Sequence, residues 1–151
     1  MNDLEHLKIK LQKMLIELND GIKIDSDGDF VITAESARLF IRAIEFGPDD
    51  QKSLMIRFFC PLVMDVAVTT DLTMYVATEG GGYRFGHVRL ILDEEKDNKT
   101  GSLYFEYTIF ANDLDMSEVD NAIRMVLFTS ADLDTELHNK FGGKMFGKDP
   151  E

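Results

Sequence analysis

The chain has 151 residues, 44% of them hydrophobic, and sets 28 Asp and Glu against 16 Lys and Arg for a formal net charge of -12. That size suits one compact domain burying roughly two-thirds of its unfolded surface, and the negative field repels phosphate backbones and anionic lipid, so nucleic acid and membranes are not expected partners. A lone cysteine, Cys60, excludes an internal disulfide framework and a cysteine-rich zinc site; with no basic-then-apolar leader and no long apolar run, the expected location is the cytoplasm.

Leu7, Leu11, Met14, Leu15 and Leu18 recur at helical spacing from Leu4, and Gly21 is placed to stop that first helix. Ile9 and Ile16 lie seven residues apart and make a second, smaller apolar face, suited either to a partner or to cover by lysine stems. Asp25-Ser26-Asp27-Gly28-Asp29 opens like a calcium loop. Its sixth position is Phe30, where glycine is needed, and its twelfth is Ser36, where glutamate is needed, so a tight Asp-Gly turn is expected rather than a metal site.

Strands are expected at Phe30 to Thr33, at Ala37 to Phe46 before the turn Gly47-Pro48-Asp49-Asp50, and at Ser53 to Cys60, with Pro61 helping to end the last. Met64 to Glu79 carries both a helical stripe and a strand parity. Its length and the following Gly80-Gly81-Gly82 predict a helix, with the glycines as its cap rather than a phosphate cradle.

Tyr83 to Ala111 reads as a hairpin around the polar run Asp93 to Gly101. Alternation puts Val88, Leu90, Leu92, Leu103, Phe105, Tyr107 and Ile109 on a core face, and Phe85, His87, Arg89, Ile91, Tyr104, Glu106 and Phe110 on the other. Asp115-Met116-Ser117-Glu118 fits a capping box, and the stripe Val119, Ala122, Ile123, Val126, Ser130, Leu133, Leu137 and Phe141 predicts a long helix ending at Gly142-Gly143, with Phe128 off the stripe. Lys144 to Glu151 is expected to be a short, mostly disordered tail. The expectation is a single α+β domain over residues 1–143, in the order α-β-β-β-α-β-β-α, with helices packed on an antiparallel sheet.

No enzyme is expected. His6, His87 and His138 fall on different elements, Cys60 has no partner visible in the sequence, and metal-binding spacing such as His-Glu-x-x-His is absent, so no catalytic, cofactor or metal residue is assigned.

The informative feature is the second sheet face. Phe40, Arg42, Ile44, Met55, Arg57, Phe59, Phe85, Arg89, Tyr104 and Phe110 share the parity opposite the core, a mixture of aromatic and arginine side chains typical of interfaces. It is expected to meet a second copy or a polypeptide client; the opposing reading has the tail, a loop or a helix cover it from within. Ile9, Ile16 and Phe128 are secondary candidates. A small-molecule sensor with a pocket between helices and sheet is the alternative function.

The element order, with Asp27-Gly28-Asp29-Phe30, Cys60-Pro61-Leu62-Val63, Tyr83-Arg84-Phe85 and Ala131-Asp132 through Phe141-Gly142-Gly143, resembles the YbjN-like, type III secretion chaperone-like family and, more broadly, the class I type III secretion chaperones. The match spans about residues 4 to 143. The close of the second helix, Tyr75-Val76-Ala77-Thr78, departs from the asparagine-bearing family pattern. The resemblance implies a homodimer that binds a protein or peptide client, and it implies no catalytic or cofactor residues.

Overall fold

The computed structural model describes residues 1–34 and 37–147. The first helix, α1 (Asp3–Leu18), starts at Asn2, whose side chain accepts from the Glu5 N–H while the Glu5 carboxylate accepts from the Asn2 N–H. This reciprocal cap satisfies two donors that the first turn leaves unpaired. Leu7, Leu11 and Leu15 are its buried stripe, while Ile9 and Ile16 stay exposed.

Strands β1 (Lys23–Ile24), β2 (Phe30–Ala34), β3 (Ala37–Phe46) and β4 (Ser53–Ala67) follow, then α2 (Thr70–Ala77), β5 (His87–Leu92), β6 (Thr100–Phe110), α3 (Met116–Phe141) and β7 (Lys144–Met145). The strands make one antiparallel sheet in the order β1-β2-β3-β4-β6-β5, with β7 pairing β4 beyond the end of β3. The expected α+β class is therefore observed. The two-residue strands β1 and β7 were not foreseen.

Two boundaries differ from expectation. β4 does not stop near Pro61 but runs to Ala67, and the helix predicted from Met64 occupies only Thr70–Ala77. Pro61 is tolerated because β4 changes partner there: the last pair with β3 is Phe40–Phe59, and β7 joins at Val63. A missing N–H at such a gap breaks no ladder between these strands. Register shifts on either side of Val63, with Asp65 at φ 52°, then turn successive residues inward, so that Leu62 and Val63 are both buried. Gly80 closes α2 as a cap, its N–H donating to the Tyr75 carbonyl.

Leu7, Leu11 and Leu15 of α1, Leu72 and Tyr75 of α2, and Val119, Val126, Leu133 and Leu137 of α3 all pack on the same sheet face, against Leu39, Ile41, Ile56, Phe58, Leu103 and Phe105. Each such side chain contributes roughly 1.5–3 kcal/mol of burial. Cys60 lies in this layer, and burial pushes its thiol up to about 12. α3 begins at Asp115, which forms the expected capping box with Glu118. Leu92, expected in the core, is exposed near the hairpin turn. The tail expected from Lys144 begins as β7; residues 148–151 lie outside the described residues, as does Ser36.

Candidate functional site

The opposite face of the sheet carries no helix among the described residues, and its side chains stand in rows set by the strand register. Ile44, Met55 and Phe110 form one row across β3, β4 and β6. Arg42, Arg57 and Thr108 form the next. Phe40, Phe59, Glu106 and His87 follow, and then Tyr104 with Arg89. Antiparallel pairing keeps opposite residues on one face, so alternation within each strand becomes bands across the sheet.

The middle bands interlock. Phe40 and Phe59 stack with centroids 5.3 Å apart and planes at 14°. The Arg57 guanidinium lies 4.7 Å and the Arg42 guanidinium 5.4 Å from the Phe59 centroid, placing cations over an aromatic face. Tyr104 flanks Phe59 at 6.5 Å; burial raises its phenol, opposed by the Arg57 charge.

Two carboxylates hold the arginines. Asp29, only 3% exposed, accepts from Arg42 Nε at 2.7 Å and from Nη2 at 2.6 Å in a bidentate pair. That hydrogen bond raises the Arg42 pKa, against the opposing effect of burial. Glu106, 5% exposed, accepts from Arg57 and, at 3.4 Å, from Arg89 Nη1, while His87 Nε2 lies 3.7 Å from its other oxygen. One buried carboxylate thus serves three basic side chains, and Arg89 and His87 remain half exposed around it.

Asp25, Asp27 and Asp29 do bring their carboxylates within 4.8 Å of one another. Asp25 Oδ1 accepts from the N–H groups of Asp27 and Asp29, as an Asp-rich turn does. Both oxygens of Asp29 are already engaged by Arg42.

Of the residues assigned to this face from sequence, Phe40, Arg42, Ile44, Met55, Arg57, Phe59, Arg89, Tyr104 and Phe110 are brought together on it, Phe110 at its edge and 70% exposed. Phe85 is not. It packs against Phe105 and Tyr107 on the helix side, with centroids 5.6 and 5.7 Å away, because β5 begins at His87 and Gly86 at φ 62° breaks the alternation on which its placement rested. Ile9, Ile16 and Phe128 lie on the helices, away from these bands, and all are exposed, Phe128 at 72%.

Two participants were not assigned from sequence: Arg38, which shares the parity of Phe40 and was legible from it, and Asp29, which precedes β2 inside a turn. Alternation placed Glu106 on this face, but its burial depends on neighbours from other strands.

The family model described as T3SS (YopN, CesT) and YbjN peptide-binding chaperone 1 matches residues 5–149. The chain belongs to this family. No curated protein matches it. The family is one of peptide-binding chaperones, and the match extends past α3 to take in β7. No helix among the described residues is long and apolar enough to cross a membrane.

Proposed function

We propose that this chain is a non-catalytic chaperone-like module, residues 1–143 acting as one domain, that binds an extended segment of another polypeptide on its helix-free sheet face. The observation that carries the reading is the Phe40–Phe59 stack, flanked by Arg42, Arg57 and Tyr104 with no helix over it among the described residues. Aromatic rings offer a client large contact area at small entropic cost, and guanidinium groups suit its carboxylates. Arg57 and Arg89 share one carboxylate, which leaves basic character on a chain of charge -12. The client segment is accordingly apolar or aromatic with acidic neighbours. The peptide-binding description of the family supports the same reading.

The proposal includes a homodimer in the cytoplasm. Its support is the family resemblance and a largely apolar groove along α3 lined by Ala34, Ala37, Met125, Leu127, Phe128 and Ala131 together with Arg124, which could receive the same groove of a second copy. The centre of the space between helices and sheet is filled by Leu11, Phe58, Cys60 and Val126, while a cleft between α3 and β6, lined by Phe85, Tyr107, Ile109, Ala122 and Met125, is where the alternative small-molecule sensor would hold its ligand.

Selection from a phage-displayed dodecapeptide library tests the client site. The expected outcome is enrichment of aromatic-acidic sequences whose binding is lost in Phe59→Ser. Selected peptides that bind Phe59→Ser as well as wild type would refute the site. Light scattering reads the dimer, for which a monomeric mass would be decisive against it.

A further inference from the structure

One end of the open face already holds a side chain from the C-terminal segment. α3 ends at Phe141, and Gly142 and Gly143, at φ 79° and 83°, turn the backbone out of the helix layer. A Cβ on Gly143 would lie 2.6 Å from the Met64 carbonyl oxygen, so the close passage along β4 requires glycine. β7 then pairs Lys144 with Met64 and Met145 with Val63, and the Phe146 N–H donates to the Leu62 carbonyl at 3.3 Å. From there the Phe146 ring reaches the helix-free side. It sits edge-on to Phe40, with centroids 6.4 Å apart and planes at 62°, and the Arg38 guanidinium lies 5.6 Å from its centroid.

This contact repeats the chemistry of the face. Phe59 contacts Phe40 and two guanidinium groups; Phe146 contacts Phe40 and a third. The hold on it is slight, because a two-residue strand, one long hydrogen bond and a part-buried ring make a marginal attachment. Such a segment stays seated through its tether, which keeps its local concentration high.

We propose that the Arg38–Phe40 end of the open face is a subsite for an aromatic side chain of an extended polypeptide, and that Phe146 is its resident, displaceable occupant. The proposal rests on the reading of this face as a peptide site and adds both a ligand class and a regulation to it. A client presenting its own aromatic residue takes the place of Phe146, and the segment lowers client affinity by the fraction of molecules in which it is seated. Seating in about nine molecules of ten lowers it about tenfold.

The test uses the full chain, wild type and Phe146→Ala, titrated with a synthetic nonapeptide copying residues 143–151 and read by amide nitrogen–proton correlation spectra. Phe146→Ala is expected to take up the peptide about tenfold more tightly than wild type, with shifts at Arg38, Phe40 and Leu62, and Arg38→Ser in the same background is expected to cancel the gain. Equal affinity in both proteins, or shifts confined to the helices, overturns the subsite. A lowered melting temperature with unchanged peptide affinity overturns it as well, since Phe146 would then be packing alone. The phage-selected peptides separate this proposal from the wider one. If they bind identically with and without Phe146, the subsite is refuted and the face stands; if Phe59→Ser leaves them bound while the nonapeptide still enters Phe146→Ala, the wider site is refuted and the subsite stands.

Discussion

Arg57 and Glu106 form an ion pair between β4 and β6 on the face that no helix covers among the described residues, and they belong to neighbouring bands: Arg57 is paired in register with Thr108, Glu106 with Phe59. The pair lies diagonally across the sheet, which brings the guanidinium over the Phe59 ring and the carboxylate beneath the exposed basic groups of β5.

Removing the carboxylate leaves Arg57 partly buried without its partner. Glu106→Ala is expected to destabilise the fold by about 3 kcal/mol, the low end for breaking a buried pair. Arg89→Ala, which removes a half-exposed partner at 3.4 Å, is expected to cost less than about 1 kcal/mol. Urea denaturation of the two variants measures both, and equal losses would contradict the central role of Glu106.

Phe59 and Phe85 are both aromatic and part-buried, yet they lie on opposite sides of the sheet. Phe59→Ala is expected to weaken peptide binding by about 2 kcal/mol or more while the circular dichroism spectrum is retained. Phe85→Ala removes contacts with Phe105 and Tyr107 and is expected to cost about 2–3 kcal/mol of stability with peptide affinity unchanged. Isothermal titration and thermal melts on the two proteins give the contrast directly.

The Cys60 thiol, pushed up to about 12 by burial, stays protonated in the fold, whereas an unfolded cysteine ionises near roughly 8.5. The unfolded state therefore loses its proton first as pH rises. The contribution from this group is fully present below about pH 8.5 and falls above it, with a slope approaching about 1.4 kcal/mol per pH unit toward the folded value. Urea midpoints at pH 8 and pH 10 should diverge, and Cys60→Ala should reduce the divergence; iodoacetamide should label the thiol in urea and not in buffer.

Asp29 gives both oxygens to Arg42, so a cation at Asp25, Asp27 and Asp29 would have to displace a bidentate guanidinium. Calorimetry is expected to show no stoichiometric micromolar calcium isotherm for the wild type. Arg42→Ala should destabilise the protein by about 3 kcal/mol, because it leaves a nearly buried carboxylate unpaired, and calcium should then recover part of that loss in a melting curve. A micromolar wild-type isotherm abolished by Asp27→Ala would show the turn to be a site.

The banded face was legible in the sequence because β3, β4 as far as Phe59, and the part of β6 from Glu106 to Phe110 pair without interruption, so parity along the chain maps directly onto sides of the sheet. The capping boxes and the long apolar stripe of α3 were legible for a similar reason, since each is set by residues within a few positions of one another. Where the chain departs from simple period two, sequence reading failed. Gly86 turns Phe85 to the helix side, and the two register shifts around Val63 bury successive residues; Met64 to Glu79 carries strand and helix patterns together because it holds the end of β4 and the whole of α2.

Only the tertiary structure decided which apolar face receives the helices and what reaches the other. The three helices among the described residues take the face of Phe58 and Phe105, which leaves Phe40 and Phe59 without a helix over them, and a two-residue strand brings Phe146 round to meet Phe40. A strand as short as β7 has no period to read. Its position comes from glycine-permitted turns and from pairing with a strand some eighty residues earlier in the chain. Local alternation determines the side of its own strand on which a residue lies; the neighbours that then cover it depend on contacts between distant segments, whose free energy appears only once the chain has closed.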